Sequence, residues 1–70
     1  MEHIAVESSM LISVAYDAKE QILEVKFKQW EVYQYFEVPS NVFEELLKAE
    51  SKGRYMRSYV IDCYPYVRVR

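Results

Sequence analysis

The fold of this chain is organised around residues 30–39, which read W-E-V-Y-Q-Y-F-E-V-P. Aromatic and β-branched residues occupy nearly every uncharged position, and that composition is typical of a strand on a half-buried sheet. Pro39 ends the strand, because proline has no N–H group to donate to a neighbouring strand. Tyr33 and Tyr35 are one residue apart, so both side chains lie on the same face of the strand. Whether that face points toward the core or toward solvent is the main structural question that the sequence poses.

Two further strands are predicted before this stretch. Ile12, Val14 and Tyr16 alternate with small residues, which is a strand pattern. From Ile22 to Lys28 apolar and charged residues alternate strictly, which predicts an antiparallel strand with one face in water. The polar residues 17–20 between the two strands have the length of a hairpin turn. A three-stranded meander follows from this order.

The turn between the second and third strands leaves two registers open, because no Asn-Gly or Asp-Gly pair determines it. With a two-residue loop at Gln29-Trp30, both tyrosines lie on the outer face. With a three-residue loop at residues 28–30, Val25 lies opposite Tyr33 and both tyrosines turn toward the core. A shift of one residue moves every side chain to the other face, so the length of this loop decides on which face of the sheet the tyrosines lie.

Residues 40–51 predict an amphipathic helix, with its apolar residues on one stripe suited to covering a sheet face. Asn41 and Glu44 have the spacing of a capping box, with Asn in place of Ser or Thr. Gly53, the only glycine, is expected to end this helix in the left-handed conformation.

A second, shorter helix is predicted after Gly53, on a stripe that contains Tyr55 and Val60. The tail is extended because Pro65 disfavours a helix before it, and its valines alternate with arginines as in an edge strand or a packed arm. Residues 1–70 therefore predict one α+β domain. It consists of a three-stranded antiparallel β-meander packed by a C-terminal helix, followed by a second short helix and an extended tail.

Composition and charge narrow the functional classes. The chain has 70 residues, 51% of them apolar, and a net charge of −2. Residues 1–47 hold three lysines against nine acids, a net −6, whereas residues 48–70 hold six cations against two acids, a net +4. Such an asymmetry can present a cationic face to an anionic partner. The alternative is that the two halves neutralise each other across the fold.

A single cysteine, Cys63, rules out an internal disulfide and matches no zinc-binding spacing. We expect it to be a buried structural thiol in a cytoplasmic protein, where thiols stay reduced. His3 is expected to lie in a solvated, frayed end. No apolar run approaches the ~20 residues that a membrane span needs. No cofactor or metal is predicted, and an enzyme is the least favoured class, since no catalytic constellation is visible.

Several motifs in this order resemble the KTSC domain, a small domain found at the C-terminus of some lysyl-tRNA synthetases and as stand-alone proteins. They are V-E-S-S-M-L-I-S-V-A-Y-D, L-E-V-K-F, V-Y-Q-Y-F-E-V-P, V-F-E-E-L-L-K-A-E-S-K-G-R-Y and Y-P-Y. The Y-x-Y signature is matched by Tyr33-Gln34-Tyr35. Family members often carry Asn-Gly where this chain has Gln29-Trp30. The resemblance implies a non-catalytic module for which RNA binding has been suggested.

Two groups of residues are candidates for an RNA-binding site. The cations of the C-terminal third can neutralise phosphates, and exposed tyrosines can stack on bases. The alternative interpretation is that the cations are solvated and that the tyrosines belong to the core. The candidate residues are Lys52, Arg54, Arg57, Arg68, Arg70, Tyr33 and Tyr35.

A tRNA-like RNA is thus the first partner considered, and a protein partner or a second copy of the chain is the second. Trp30 at a hairpin tip supports the second hypothesis if it is exposed, since exposed large aromatic residues mark partner sites.

Overall fold

The computed structural model of the chain describes residues 1–70 and contains one antiparallel sheet whose five strands lie in chain order. The strands are β1 (Ile4–Ala5), β2 (Leu11–Asp17), β3 (Ile22–Phe27), β4 (Val32–Tyr35) and β5 (Tyr66–Arg68). Helix α1 (Ser40–Lys48) and helix α2 (Lys52–Tyr55) follow β4, and α2 continues directly into a π-helical segment (Met56–Val60). The α+β class is confirmed. The three-stranded meander was an underestimate, because the two edge strands are too short to show an alternating pattern.

The β3–β4 hairpin has the three-residue loop, residues 28–30. The Phe27 amide donates to the Glu31 carbonyl at 2.8 Å, and the Trp30 amide donates to the Phe27 carbonyl at 2.9 Å. Val25 therefore lies opposite Tyr33, and both tyrosines face the helices. Trp30 has a φ of 71° and occupies the left-handed position that such loops require.

The core lies between the helices and one face of the sheet. Ten buried residues form it: Leu11, Val14, Leu23, Val25, Tyr35, Val38, Val42, Leu46, Met56 and Val60. Tyr16 joins α1 to the sheet, because its ring stacks on Phe43 at 5.1 Å and its hydroxyl donates to the Val38 carbonyl. The other face of the sheet carries polar residues such as Glu24, Lys26 and Gln34. The sheet thus has one packed face and one solvated face.

Two helix-end predictions are wrong. Pro39 occupies the N-cap of α1 without a side-chain cap, so Asn41 and Glu44 form no capping box. Gly53 has no positive φ and lies buried inside α2, so it does not end α1. A Cβ atom on Gly53 would lie 3.1 Å from Met10 Sδ and 3.2 Å from Met10 Cβ. The glycine therefore allows a close approach of α2 to the chain before β2, and a side chain here would require Met10 to shift by a few tenths of an ångström.

Three further expectations change. A bulge between Leu11 and Ser13 puts Leu11, not Ile12, at the core end of β2. Cys63 is exposed, because it lies in the turn after the π-helical segment and not on a packed face. The tail forms edge strand β5, which resolves the choice between a strand and an arm. None of the helices has the length and apolar character needed to cross a membrane.

Candidate functional site

A groove of about 570 Å³ lies on the helix-facing side of the sheet, beside the core. Its floor comes from β4 and β5, one wall from the tip of the β3–β4 hairpin, and the other wall from the end of the π-helical segment. We call this feature the tyrosine groove, after Tyr33, Tyr35 and Tyr66, which line it. The register of the three-residue loop creates it, because that register turns Tyr33 and Tyr35 toward the helices.

The three tyrosine rings form a compact cluster across β4 and β5, in which each ring contacts the other two. The Tyr33 ring centroid lies 6.3 Å from that of Tyr35 and 5.5 Å from that of Tyr66, and the Tyr35 and Tyr66 centroids are 5.9 Å apart. Phe27 packs edge-on against Tyr33 at 5.6 Å. Tyr35 is only 3% exposed, whereas Tyr66 is 53% exposed. The cluster therefore has a buried member, Tyr35, that belongs to the core and an exposed member, Tyr66, that a ligand can reach.

The charges around the groove are mixed. Lys28 and Arg57 supply two cations, and Glu31 and Asp62 supply two carboxylates. Arg68 Nη1 lies 3.6 Å from Glu31 Oε2, so part of the negative charge is already neutralised. Arg57 takes part in neither of the two ion pairs in the structure and is exposed. Its guanidinium is thus free to bind an anionic group.

Burial, together with the neighbouring Tyr33, Tyr66 and Asp62, raises the pKa of Tyr35 to about 12. The Tyr35 hydroxyl therefore stays protonated at neutral pH. It can donate a hydrogen bond but is a poor general base, so the cluster of rings is suited to binding by contact and stacking.

The structure brings together some of the seven residues predicted from the sequence and separates others. Tyr33, Tyr35 and Arg57 line the groove, and Arg68 touches its rim through Glu31. Lys52 instead donates from Nζ to the Ala49 carbonyl at 3.0 Å.

The remaining two predicted cations lie away from the groove. Arg54 is exposed on α2 and does not line it, and Arg70 lines a cleft on the opposite face of the sheet. The cations are therefore distributed over several surfaces and do not form one patch.

Sequence reasoning considered Tyr66 only as one of several tyrosines among the C-terminal cations, and it did not select Lys28 or Asp62 for this site. Tyr66 lies opposite Tyr35 in the β4–β5 ladder, and that pairing joins residues 31 positions apart in the chain. The Y-P-Y motif of the tail was the only local signal. Pairing between strands that are far apart in sequence cannot be read from local patterns.

The solvated face of the sheet carries a hydrogen-bond network that the sequence also did not reveal. His3 Nδ1 lies 2.7 Å from Ser13 Oγ, and His3 Nε2 lies 2.5 Å from Glu24 Oε2. Gln34 Nε2 donates to Glu24 Oε1 at 2.7 Å. Burial raises the pKa of Glu24, but the hydrogen bonds from His3 and Gln34 outweigh it and leave that pKa below its ordinary value. The expectation of a solvated His3 is therefore wrong.

No three His, Cys, Asp or Glu side chains converge in a way that suits a metal ion. The fold and the groove together define a small α+β domain with two helices on one face of an antiparallel sheet. Residues 7–64 match the model of the KTSC domain, so the chain belongs to the KTSC domain family. The resemblance seen in the sequence is confirmed.

Similar proteins include stand-alone domains and larger enzymes. An uncharacterized protein of Stutzerimonas stutzeri is 46% identical over 70 residues, which cover 99% of each chain. A lysine–tRNA ligase of Nostoc punctiforme is 37% identical over 54 residues, which cover 77% of this chain but only 10% of the ligase. The crystal structure of a KTSC domain protein from Yersinia pestis superposes with a TM-score of 0.96 at 28% identity, covering 99% of this chain and 97% of that one. The KTSC domain is thus also found within lysine–tRNA ligases.

Proposed function

We propose that this chain is a small binding module that holds single-stranded RNA in the tyrosine groove. The observation that carries the proposal is the cluster of Tyr33, Tyr35 and Tyr66, exposed at Tyr66 and bordered by the unpaired Arg57. Bases stack on exposed aromatic rings whatever their sequence, at roughly 1–3 kcal/mol per base. The relationship to a region of lysine–tRNA ligases supports a tRNA-like partner and a cytoplasmic location.

The exposed and the buried tyrosines of the groove have different roles in this proposal. Tyr66 offers a ring face to a base, while Tyr33 and the buried Tyr35 hold that ring in position from below. Arg57 and Lys28 contact the adjacent phosphates. Glu31 and Asp62 reduce the local positive potential, so the affinity should be modest and sensitive to salt. The sequence pI of about 5.3 agrees with a module that does not bind nucleic acid indiscriminately.

The proposal is tested with labelled single-stranded RNA and tRNA, titrated at low and at high salt. Replacing Tyr66 by Ala should weaken binding by roughly 5- to 150-fold, which corresponds to the loss of one stacked base. Replacing Arg57 by Ala should weaken binding and reduce its dependence on salt.

Two matched controls come from the same chain. Tyr59 is at least as exposed as Tyr66, and Arg54 and Arg57 are both exposed, but neither Tyr59 nor Arg54 lines the groove. The changes Tyr59→Ala and Arg54→Ala should leave the affinity for RNA unchanged. If the control variants weaken binding as much as the groove variants, or if no salt-sensitive binding exists, the groove is not an RNA site.

Self-association is a second candidate function, favoured by the edge of β5. Val67 and Val69 are both more than two-fifths exposed, and β5 pairs with β4 only. An unpaired apolar edge is a template for another strand. Sedimentation of the wild-type chain at high concentration tests this function, and a strict monomer would exclude it.

A further inference from the structure

A second cleft, of about 520 Å³, lies on the solvated face of the sheet, opposite the tyrosine groove. The network of His3, Ser13, Glu24 and Gln34 lines one side of it, and the cations Lys26 and Arg70 also line it. None of these side chains serves the RNA groove. The cleft therefore needs its own explanation.

We propose that Ser13 is an activated nucleophile, with His3 as its general base, and that this cleft hydrolyses esters that carry a negative charge. The proposal is independent of RNA binding, since the two sites lie on opposite faces of the sheet. Ser13 and His3 are the catalytic residues, and Glu24 and Gln34 are positioning residues.

Ser13, His3 and Glu24 contact one another in the order that an acyl-transfer site requires. The nucleophile must reach a base by a hydrogen bond, and a third group must orient that base. Ser13 Oγ lies 2.7 Å from His3 Nδ1, and His3 Nε2 lies 2.5 Å from Glu24 Oε2. With its proton on Nε2, the imidazole leaves Nδ1 as an acceptor for the Ser13 hydroxyl.

The carboxylate in this chain of contacts is itself held in place. Gln34 Nε2 donates to the second Glu24 oxygen at 2.7 Å, so both oxygens of Glu24 have partners. The hydrogen bonds from His3 and Gln34 keep the pKa of Glu24 below its ordinary value despite its burial. The carboxylate therefore remains charged at neutral pH and can stabilise an imidazolium.

The sheet supplies the rigidity that such a site needs. Ser13 lies in β2, Glu24 in β3 and Gln34 in β4, and Glu24 and Gln34 face each other in the ladder. His3 precedes β1, which pairs with β2 at Ile4 and Ala5 and so carries the imidazole to Ser13. Sites built on strands hold their side chains more precisely than sites on loops.

The reaction balances without any additional cofactor. Ser13 Oγ attacks the ester carbonyl carbon while its proton passes to His3 Nδ1, and the alcohol leaves with that proton as the acyl-serine forms. Water then attacks the acyl-serine, gives a proton to His3 and releases the acid, and the proton returns to Ser13. Lys26 and Arg70 are the cations in the cleft that suit an acyl group bearing a carboxylate or a phosphate.

The experiment treats the full chain with diisopropyl fluorophosphate and locates the adduct by peptide mass mapping. In this reaction Ser13 Oγ displaces fluoride from phosphorus, and the proton passes to His3. A single adduct on Ser13 is expected. The five other serines of the same molecule are internal controls that should stay unlabelled: Ser8, Ser9, Ser40, Ser51 and Ser58.

A series of variants distinguishes activation of Ser13 by its neighbours from mere exposure of its hydroxyl group. His3→Gln and Glu24→Gln keep the size of the side chains and should lower the rate of labelling at least tenfold, while Ser58→Ala should not change it. The p-nitrophenyl monoester of succinic acid should be hydrolysed faster than p-nitrophenyl acetate, and Lys26→Ala should remove that preference by raising KM.

Absence of a Ser13 adduct on the folded wild-type chain would overturn the proposal, even if a variant fails to fold. Equal labelling of Ser13 in wild type and in folded Glu24→Gln would also overturn it. The network would then serve only to anchor the N-terminal strand.

Discussion

At the scale of single residues, the left-handed backbone positions of this chain are not occupied by its one glycine. Gln21, Trp30, Glu37 and Asp62 all have positive φ values, between 56° and 71°, and none of them is glycine. An L-residue in this conformation costs roughly 1–2 kcal/mol. The one glycine, Gly53, lies in a helix where a side chain would collide with Met10. The turns therefore retain backbone strain that substitution can relieve.

Replacing Trp30 by Gly should stabilise the protein. The left-handed strain at position 30 is removed, while the exposed contact of Lys26 Nζ with the Trp30 ring at 4.8 Å is lost, at about 0.5 kcal/mol. We expect a net gain of about 1 kcal/mol and a rise in Tm of roughly 4–8 °C, measured by thermal denaturation. Gln29→Gly in the same loop is the control and should lower stability, because residue 29 has no positive φ. A Tm for Trp30→Gly at or below that of the wild type would contradict this explanation.

Replacing Gly53 by Val should destabilise the protein by about 1–3 kcal/mol, because the new side chain overlaps Met10. Arg54→Val is the matched control, since it places the same β-branched residue at an exposed position of the same helix. Chemical denaturation of both variants separates the collision with Met10 from the lower helix propensity of valine. Equal losses in the two variants would show that Met10 does not restrict position 53.

At the scale of elements, the short strand β5 completes the tyrosine groove. It adds Tyr66 to the rings of Tyr33 and Tyr35, and its Arg68 pairs with Glu31. Its three residues are all exposed, so β5 contributes little to the core but provides the accessible end of the site. Burial and exposure are thus divided between Tyr35 on β4 and Tyr66 on β5, within one cluster of rings.

Stability should fall as the pH rises from 10 toward 12, with a contribution from Tyr35. Its pKa is raised from 10.0 to about 12 in the folded chain, chiefly by burial. Above pH 10 the unfolded chain releases this proton while the folded chain retains it, so the unfolded state is favoured. The loss is at most about 3 kcal/mol and is complete above the folded pKa.

Denaturant titrations across this pH range, with tyrosinate absorbance as the second readout, measure the effect. Tyr35→Phe should reduce the alkaline loss of stability, since phenylalanine has no proton to release. An identical alkaline loss in wild type and Tyr35→Phe would contradict the assignment to Tyr35.

At the scale of the whole molecule, one small core supports two different sheet faces. Its ten residues come from β2, β3, β4, the segment after β4, α1 and the π-helical segment. Domains of this size have little surplus stability, so each large core side chain matters. The tyrosine groove borders this core, and the polar cleft lies on the far side of the same sheet.

Replacing Leu46 by Ala should destabilise the whole domain by about 2–5 kcal/mol, because Leu46 is fully buried and its removal leaves a cavity. The neighbouring Leu47 is only half-buried, so Leu47→Ala is a matched control with a smaller loss. Chemical denaturation of both variants tests the prediction. A larger loss for Leu47→Ala would mean that α1 packs through a different face.

The sequence by itself determined the class of fold, the order of its main elements and the family. Strict alternation between Ile22 and Lys28 and the apolar stripe of α1 are local patterns, and local patterns follow from the geometry of strands and helices. The ordered motifs around Tyr33 and Tyr35 were enough to place the chain in the KTSC domain family. Neither the edge strands nor the role of Gly53 could be predicted, because both depend on contacts with distant residues.

Only the tertiary structure decided which way the tyrosines face and what they meet. The loop at residues 28–30 has no glycine to specify its register, and that register turned Tyr33 and Tyr35 toward the helices. Pairing of β5 with β4 then added Tyr66, and pairing of β1 with β2 brought His3 to Ser13. These neighbours are distant in sequence, and only the pairing of strands and the packing of helices on the sheet make them adjacent.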